Sequence, residues 1–153
     1  MTLEAPLSRS KRINFILYIA ACVAMALWFA YDGYISKSFI AEHTDEQGNA
    51  DSTLLFNQKA PPFLLGGAAL FGICLFAIRG KKVVAEENEL VVAGRERIPY
   101  DAIDRIDKTY FEKKGFFTVV YKKEDGREVH RKLSDRTYDN LKPILDHLIA
   151  KIT

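Results

Sequence analysis

The chain has 153 residues, 48% of them apolar and 27% charged, with 22 lysines and arginines against 20 aspartates and glutamates. A net charge of +2 excludes a long polyanionic or polybasic tail, and two cysteines exclude a disulfide-rich secreted scaffold. The near-neutral total hides segregation: residues 13–31 and 63–78 carry no charge, while residues 1–12 are net +2, 32–62 net −3 and 79–153 net +3.

Residues 1–12 form a basic flank through Arg9, Lys11 and Arg12. Residues 13–31 follow as an apolar run interrupted only by Asn14. As a helix this run is about 28 Å long, close to the hydrocarbon thickness of a bilayer. Ala24-Met25-Ala26 resembles a signal-peptide cleavage pattern, but the apolar run continues past it to Trp28, Tyr31 and Tyr34. That aromatic group suits the far interface of an uncleaved helix.

Residues 32–62 are expected as an outer, periplasmic segment, with apolar flanks around the polar tip Asp45–Ser52. Helical extensions on either side of a flexible tip fit this pattern. His43 among Glu42, Asp45 and Glu46 reads as a solvated loop rather than a metal site. Residues 63–78, preceded by Pro61 and Pro62, contain only apolar residues and glycine. They reach about 24 Å, so a second span requires local thinning or snorkelling by Arg79, Lys81 and Lys82. Neither run has the polar face of a soluble helix, and both are expected to be transmembrane.

The basic flanks at Arg9–Arg12 and Arg79–Lys82 enclose an acidic connection. The positive-inside rule therefore places both termini in the cytoplasm. Arg12, Trp28, Tyr31, Tyr34, Arg79, Lys81 and Lys82 are the expected interface anchors. Cys22 and Cys74 lie at different depths and are poor disulfide partners. The small residues Ala20/Ala24, Ala26/Ala30, Ala68/Gly72, Gly66 and Gly67 suit close packing of the two helices.

After Gly80 the texture becomes that of short strands. Lys82–Ala85 and Leu90–Ala93 flank an acidic turn, and Arg97-Ile98-Pro99-Tyr100 follows. Phe117, Val119 and Tyr121 alternate with Phe116, Thr118 and Val120. Asp125-Gly126 predicts a type I′ hairpin to a returning strand with Val129, Arg131 and Leu133 on one face. Ser134 or Asp135 can cap an entry turn, and Tyr138, Leu141, Leu145, Leu148 and Ile152 recur at helical spacing. Pro143 is best placed in the first turn of a helix beginning near Asp139. The expected unit is a small α+β domain, a bent antiparallel sheet closed by the C-terminal helix.

Two membrane helices, a strand–turn–strand opening, the run Arg97–Ile106, a hairpin and a terminal helix together resemble a family. It comprises small bacterial membrane proteins carrying a pleckstrin-homology-like (PH-like) domain, and the resemblance covers about residues 81–152. It implies a PH-like roll, an inner-membrane location and a binding or assembly role with no catalytic set. Residues 79–153 are short for a complete seven-stranded roll, so one strand is missing or contributed from elsewhere. Glu86-Glu87-Asn88-Glu89 is acidic where phosphoinositide-binding PH domains are basic, which disfavours lipid recognition at that loop.

No phosphate loop, paired-histidine metal motif or nucleophile elbow is present, and no enzyme activity or cofactor is expected. Asp101, Asp104 and Asp107 are spaced by three and could share a helical face, but they read better as solvated charges that cap a turn and pair with Arg105 or Lys108; His130 and His147 have no neighbouring cysteine. Lys113, Lys114, Lys122, Lys123, Arg127, Arg131 and Lys132 are the candidate lipid- or partner-binding residues. Interspersed Glu112, Glu124, Asp125 and Glu128 disfavour nucleic acid. The expected function is a membrane-anchored adaptor or accessory subunit that binds a protein partner or a second copy. A ligand or anionic-lipid sensor using the basic face is the alternative.

Overall fold

A computed structural model describes residues 2–153, which fall into two compact units. One unit is Ile13–Ala77; the other joins the N-terminal residues through Arg12 to Ile78–Thr153.

The first unit is a helical hairpin. Helix α1 (Arg9–Ala30) ends in a π-helical turn, Tyr31–Ile35, and a short α2 (Lys37–Glu42) follows. Helix α3 spans Ser52–Ile78. The apolar stretches Arg9–Ile35 and Ser52–Ile78 are each 27 residues long, and both are long and apolar enough to cross a membrane. The second helix therefore does not start at Pro61-Pro62 and is not short; it begins nine residues before Pro61, where Asp51 Oδ1 accepts the Leu54 N–H at 2.8 Å.

Pro61 and Pro62 lie inside α3, where neither has an N–H to give to the carbonyl four residues earlier. Those carbonyls belong to Asn57 and Gln58. Tyr34 Oη donates to the Gln58 carbonyl at 2.8 Å, and Gln58 Nε2 donates to the Gly33 carbonyl at 3.0 Å. The π-helical turn thus supplies a donor to backbone that the prolines expose. Deeper in the hairpin, Phe71 meets Phe15 and Tyr18, while Phe29 meets Phe56. Ala26 and Ala68 are buried and Gly67 faces Cys22, whereas Gly66 and Gly72 border open space. Cys22 and Cys74 are free thiols.

The tip between α2 and α3 is tightly bonded. Asp45 Oδ1 accepts the Gln47 and Asn49 amides at 2.9 and 2.8 Å. His43 Nδ1 and Asp51 Oδ2 are 2.6 Å apart, and the His43 ring packs tilted against Phe39 with centroids 4.4 Å apart. These amide bonds hold the carboxyl groups of Asp45 and Asp51 below their ordinary range, from Asn49 first for Asp45 and from Leu54 first for Asp51.

The second unit has two antiparallel sheets and a terminal helix. Strands β1 (Leu3–Pro6), β2 (Lys82–Ala85), β3 (Glu89–Val92) and β4 (Glu96–Pro99) form a four-stranded sheet in that order. A 3-10 turn, Tyr100–Ala102, leads to β5 (Ile103–Asp107). After α4 (Phe111–Lys114), strands β6 (Phe116–Lys122) and β7 (Glu128–Ser134) complete a three-stranded sheet ordered β5-β6-β7. Helix α5 (Leu141–Ile152) buries Leu141, Ile144, Leu145 and Leu148.

Residues 1–12 are thus more than a basic flank, because Leu3–Pro6 is a strand of this sheet. Ala5 pairs with Val83 and is fully buried. Leu7 bridges to Tyr138, Ser8 N donates to Thr137 O at 2.8 Å, and Asp139 N donates to Pro6 O at 2.9 Å. The helical hairpin is accordingly inserted between the first and second strands of one sheet. The outer strands β1 and β4 both end in proline, which an edge tolerates because a missing donor there breaks no ladder. One core gathers Ala5, Leu90, Ile98, Phe117, Val119 and Leu133 with the apolar face of α5.

One local expectation changes. Only Gly126 is left-handed in the β6–β7 turn; its N–H donates to Lys123 O at 2.8 Å, so the connection is not type I′. The paired left-handed residues are Ala93 and Gly94, between β3 and β4. Ser134 opens an entry turn of its own, its carbonyl accepting the Thr137 and Tyr138 amides and its Oγ the Arg136 amide, and α5 starts after left-handed Asn140. Asp101 sits in the 3-10 turn while Asp104 and Asp107 lie in β5, where a register shift falls between Ile103 and Arg105. The three aspartates share no helical face and are solvated charges: Asp104 lies 3.8 Å from Arg105, and Asp107 Oδ1 accepts the Thr109 amide at 3.0 Å.

Candidate functional site

The β6–β7 register sets where the basic residues fall. Phe116 opposes Ser134, Thr118 opposes Lys132 and Lys122 opposes Glu128. Lys122, Lys123 and Arg127 therefore cluster at the turn end of the hairpin. Lys113 and Lys114 precede Phe116 at the opposite end, about 20 Å from Lys122 at the usual strand rise, and Lys132, opposite Thr118, lies about 14 Å from it. The seven candidate cations do not form one continuous face.

Their partners divide them further. Arg127 Nε is 2.6 Å from Asp125 Oδ2, and that bond holds the Asp125 carboxyl below its ordinary range. Arg131 Nε is 3.1 Å from Glu96 Oε2, which joins the two sheets, and Tyr121 Oη donates to Glu96 Oε1. Among the described residues, Lys113, Lys114, Lys122, Lys123 and Lys132 have no ion-pair partner.

Tyr121 is buried, and its phenol is pushed up to about 12, by burial first and then by the Glu96 carboxylate. A raised tyrosine value means that the neutral phenol is favoured in the folded chain. The associated stability is complete below the ordinary value near 10 and is lost as pH climbs towards about 12. Tyr121→Phe is expected to cost about 1 kcal/mol near neutral pH. It should also remove the latest-titrating phenol from an absorbance titration at alkaline pH; a titration unchanged by the substitution would contradict this placement.

The unpaired lysines at the other end line a cleft. Phe111, Glu112, Lys113, Lys114, Gly115 and Phe116 form one side, and Lys132, Ser134, Asp135 and Arg136 the other, around an open volume of about 720 Å³. Gly115 is left-handed, with φ 71°, and ends α4 so that β6 can begin immediately. Asp135 N donates to Gly115 O at 2.8 Å, and its carboxylate lies over the Gly115 Cα, where a Cβ would come within 2.0 Å of Oδ2. Tyr110 and Phe116 stack with centroids 5.5 Å apart. Lys132 Nζ sits 3.8 Å from the Phe116 centroid and Lys114 Nζ 4.9 Å from that of Tyr110.

Arg136, Ser134 and Phe111 were not among the candidates read from sequence. Counting residues back from the Asp125-Gly126 turn puts Phe116 opposite Ser134, and this was the available signal for joining Lys113 and Lys114 to Arg136.

The expected interface anchors have individual roles. Trp28, Tyr31 and Tyr34 are exposed; Trp28 Nε1 donates to Asp32 Oδ2 at 2.9 Å, and Tyr34 is engaged by Gln58. Arg12 lies in α1, and Arg79 and Lys81 lie between α3 and β2. Lys82 belongs to β2 and pairs with Glu4 of β1 at 2.7 Å. His130 is exposed beside Glu128 at 2.8 Å. His147 packs edge-on against Tyr100, and its Nε2 is the buried side-chain polar atom without a partner among the described residues. Neither histidine lines the basic cleft.

No family model, curated protein or solved structure matches this chain.

Proposed function

We propose that this chain is an integral membrane protein whose helical hairpin anchors a PH-like cytoplasmic domain, and that this domain serves as an adaptor or accessory subunit in a larger membrane assembly. The observation that carries this reading is the pairing of β1 with β2 across the inserted hairpin. A sheet whose first strand precedes two crossings and whose second follows them requires both ends of the hairpin on one side of the bilayer. The basic residues at Arg9–Arg12 and Arg79–Lys82 support the cytoplasm as that side.

Membrane insertion is supported by the outward faces of the two long helices. Only 6% and 11% of their most apolar windows are buried. Leu27, Trp28, Phe63, Leu70, Ile73 and Phe76 are all exposed, more large apolar surface than a soluble monomer usually shows to water. The PH-like reading is supported by the four-plus-three strand arrangement under a C-terminal helix, with the seventh strand supplied by the N-terminal residues. Cleavage after α1 would remove that strand, which favours an uncleaved first helix. The assembly role follows from the resemblance stated above and from the absence of a recognisable catalytic motif in the sequence.

Two measurements test the proposal together. Single cysteines at Thr2 and Lys151 should react with a membrane-impermeant thiol reagent only in inverted inner-membrane vesicles, and one at Gln47 only in right-side-out preparations. Crosslinking in native membranes followed by mass spectrometry should recover a reproducible partner or a second copy attached to the sheet-rich unit. Opposite labelling of Thr2 and Lys151 would refute the topology, and consistent recovery of monomer alone would refute the adaptor role.

A further inference from the structure

We infer that the cleft between α4 and the loop after β7 is a binding site for a phosphate monoester, on a lipid headgroup or free in solution. This inference goes beyond the adaptor reading and does not depend on it.

Charge is the first argument. Lys113, Lys114, Lys132 and Arg136 line the cleft with two carboxylates, Glu112 and Asp135. Two positive charges are left over, and a phosphate monoester carries about −1.5 to −2 near neutral pH. Arg127 and Arg131, elsewhere on the hairpin, already spend their charge on Asp125 and Glu96. The cleft lysines have no such partner among the described residues, so an incoming anion breaks no ion pair.

Organisation is the second argument. A free surface lysine loses rotamer freedom when it grips a ligand. Lys114 and Lys132 are held instead against the stacked Tyr110–Phe116 pair, with ammonium groups 4.9 and 3.8 Å from the ring centroids. Ring contact leaves N–H donors available, whereas a carboxylate would occupy them. Ser134 Oγ accepts the Arg136 amide at 3.3 Å and keeps its own hydroxyl hydrogen to donate. The acidic carboxylate of Asp135 is drawn back over Gly115, into space that only a glycine leaves open.

Position is the third. The loop that supplies Ser134, Asp135 and Arg136 continues into Thr137 and Asp139, which bond Ser8 N at 2.8 Å and Arg9 N at 2.9 Å. Those are the residues entering α1. A bound phosphate would therefore brace the loop that grips the start of the first long helix.

The test uses the full chain in phosphatidylcholine nanodiscs, with amide chemical shifts followed at Gly115, Ser134 and Arg136. Inorganic phosphate titrated against chloride at constant ionic strength should give saturable shifts at these amides. Lys114→Gln with Lys132→Gln should weaken that response by about tenfold or more. Lys122→Gln with Lys123→Gln should leave it within about twofold, because those lysines lie at the far end of the hairpin. Discs containing phosphatidic acid separate the two sources. Shifts that appear there without added phosphate identify a lipid headgroup, and shifts that require added phosphate identify a soluble one. No saturable response to either, or equal losses in the two double variants, overturns the site.

Discussion

Ala5→Asp is expected to unfold the sheet-rich unit, although the substitution lies far in sequence from most of that unit. Ala5 is fully buried, pairs with Val83 and belongs to the cluster that contains Leu90, Phe117 and Leu148. A carboxylate there has no cation within the core, and an uncompensated buried charge costs about 3–5 kcal/mol. That is comparable with the whole stability of many small domains. The matched control is Glu4→Gln on the neighbouring residue. It removes only the exposed pair with Lys82, which contributes about 0–1 kcal/mol. Hydrogen exchange at the amides of Val83 and Ala85, read in detergent, should accelerate strongly for Ala5→Asp and hardly at all for Glu4→Gln. Equal protection in the two variants would show that β1 is dispensable, and with it the argument that both ends of the hairpin share one side.

Gly33→Val is expected to be the most damaging single change in the helical unit. A Cβ at Gly33 would come within 3.0 Å of both the carbonyl carbon and oxygen of Asn57 and 3.1 Å of the Gln58 side chain. The first two are backbone atoms and cannot rotate away. They belong to the stretch of α3 that Pro61 and Pro62 already leave short of donors. Forcing the helices apart there also strains the Tyr34–Gln58 and Gln58–Gly33 hydrogen bonds. Overpacking of this kind costs about 1–3 kcal/mol. Trp28, the only tryptophan, donates to Asp32 next to the site and reports on unfolding in mixed micelles. Gly72→Val provides the comparison, since nothing lies within 4 Å of the corresponding position. Equal shifts in the two unfolding curves would mean that the close approach at Gly33 does not hold the hairpin.

Much of the architecture was legible because it rests on local periodicity. The two uncharged runs, the alternation of Phe117, Val119 and Tyr121, and the Leu141–Leu145–Leu148 stripe each encode an element and the face it buries. Two of the misreadings involve partners distant in sequence. Leu3–Pro6 is four residues long and carries a charge and a proline, so nothing local marks it as a strand; β2 makes it one. Pro61-Pro62 normally signals a helix boundary, but a tyrosine hydroxyl from the preceding turn lets the helix run through. Asp125-Gly126 carries the strongest hairpin signal, yet the double left-handed turn falls at Ala93-Gly94, where strand pairing accepts the strain of a left-handed alanine. The candidate site was half legible. Seven cations could be named, but only the register separates the unpaired lysines beside Arg136 from arginines already committed to Asp125 and Glu96.

The unequal spread of charge behind the near-neutral total is a property of the sequence alone. It sets out two long apolar helices, an acidic connection and a charge-rich region of strands, because a run without charges carries no charge-desolvation cost into an apolar surrounding, and that is read from the run's own residues. The tertiary structure decided that the first strand of the sheet comes from before the hairpin, and which lysines meet around a cleft. Both depend on pairing across long stretches of chain, where the free energy resides in contacts that no local window contains.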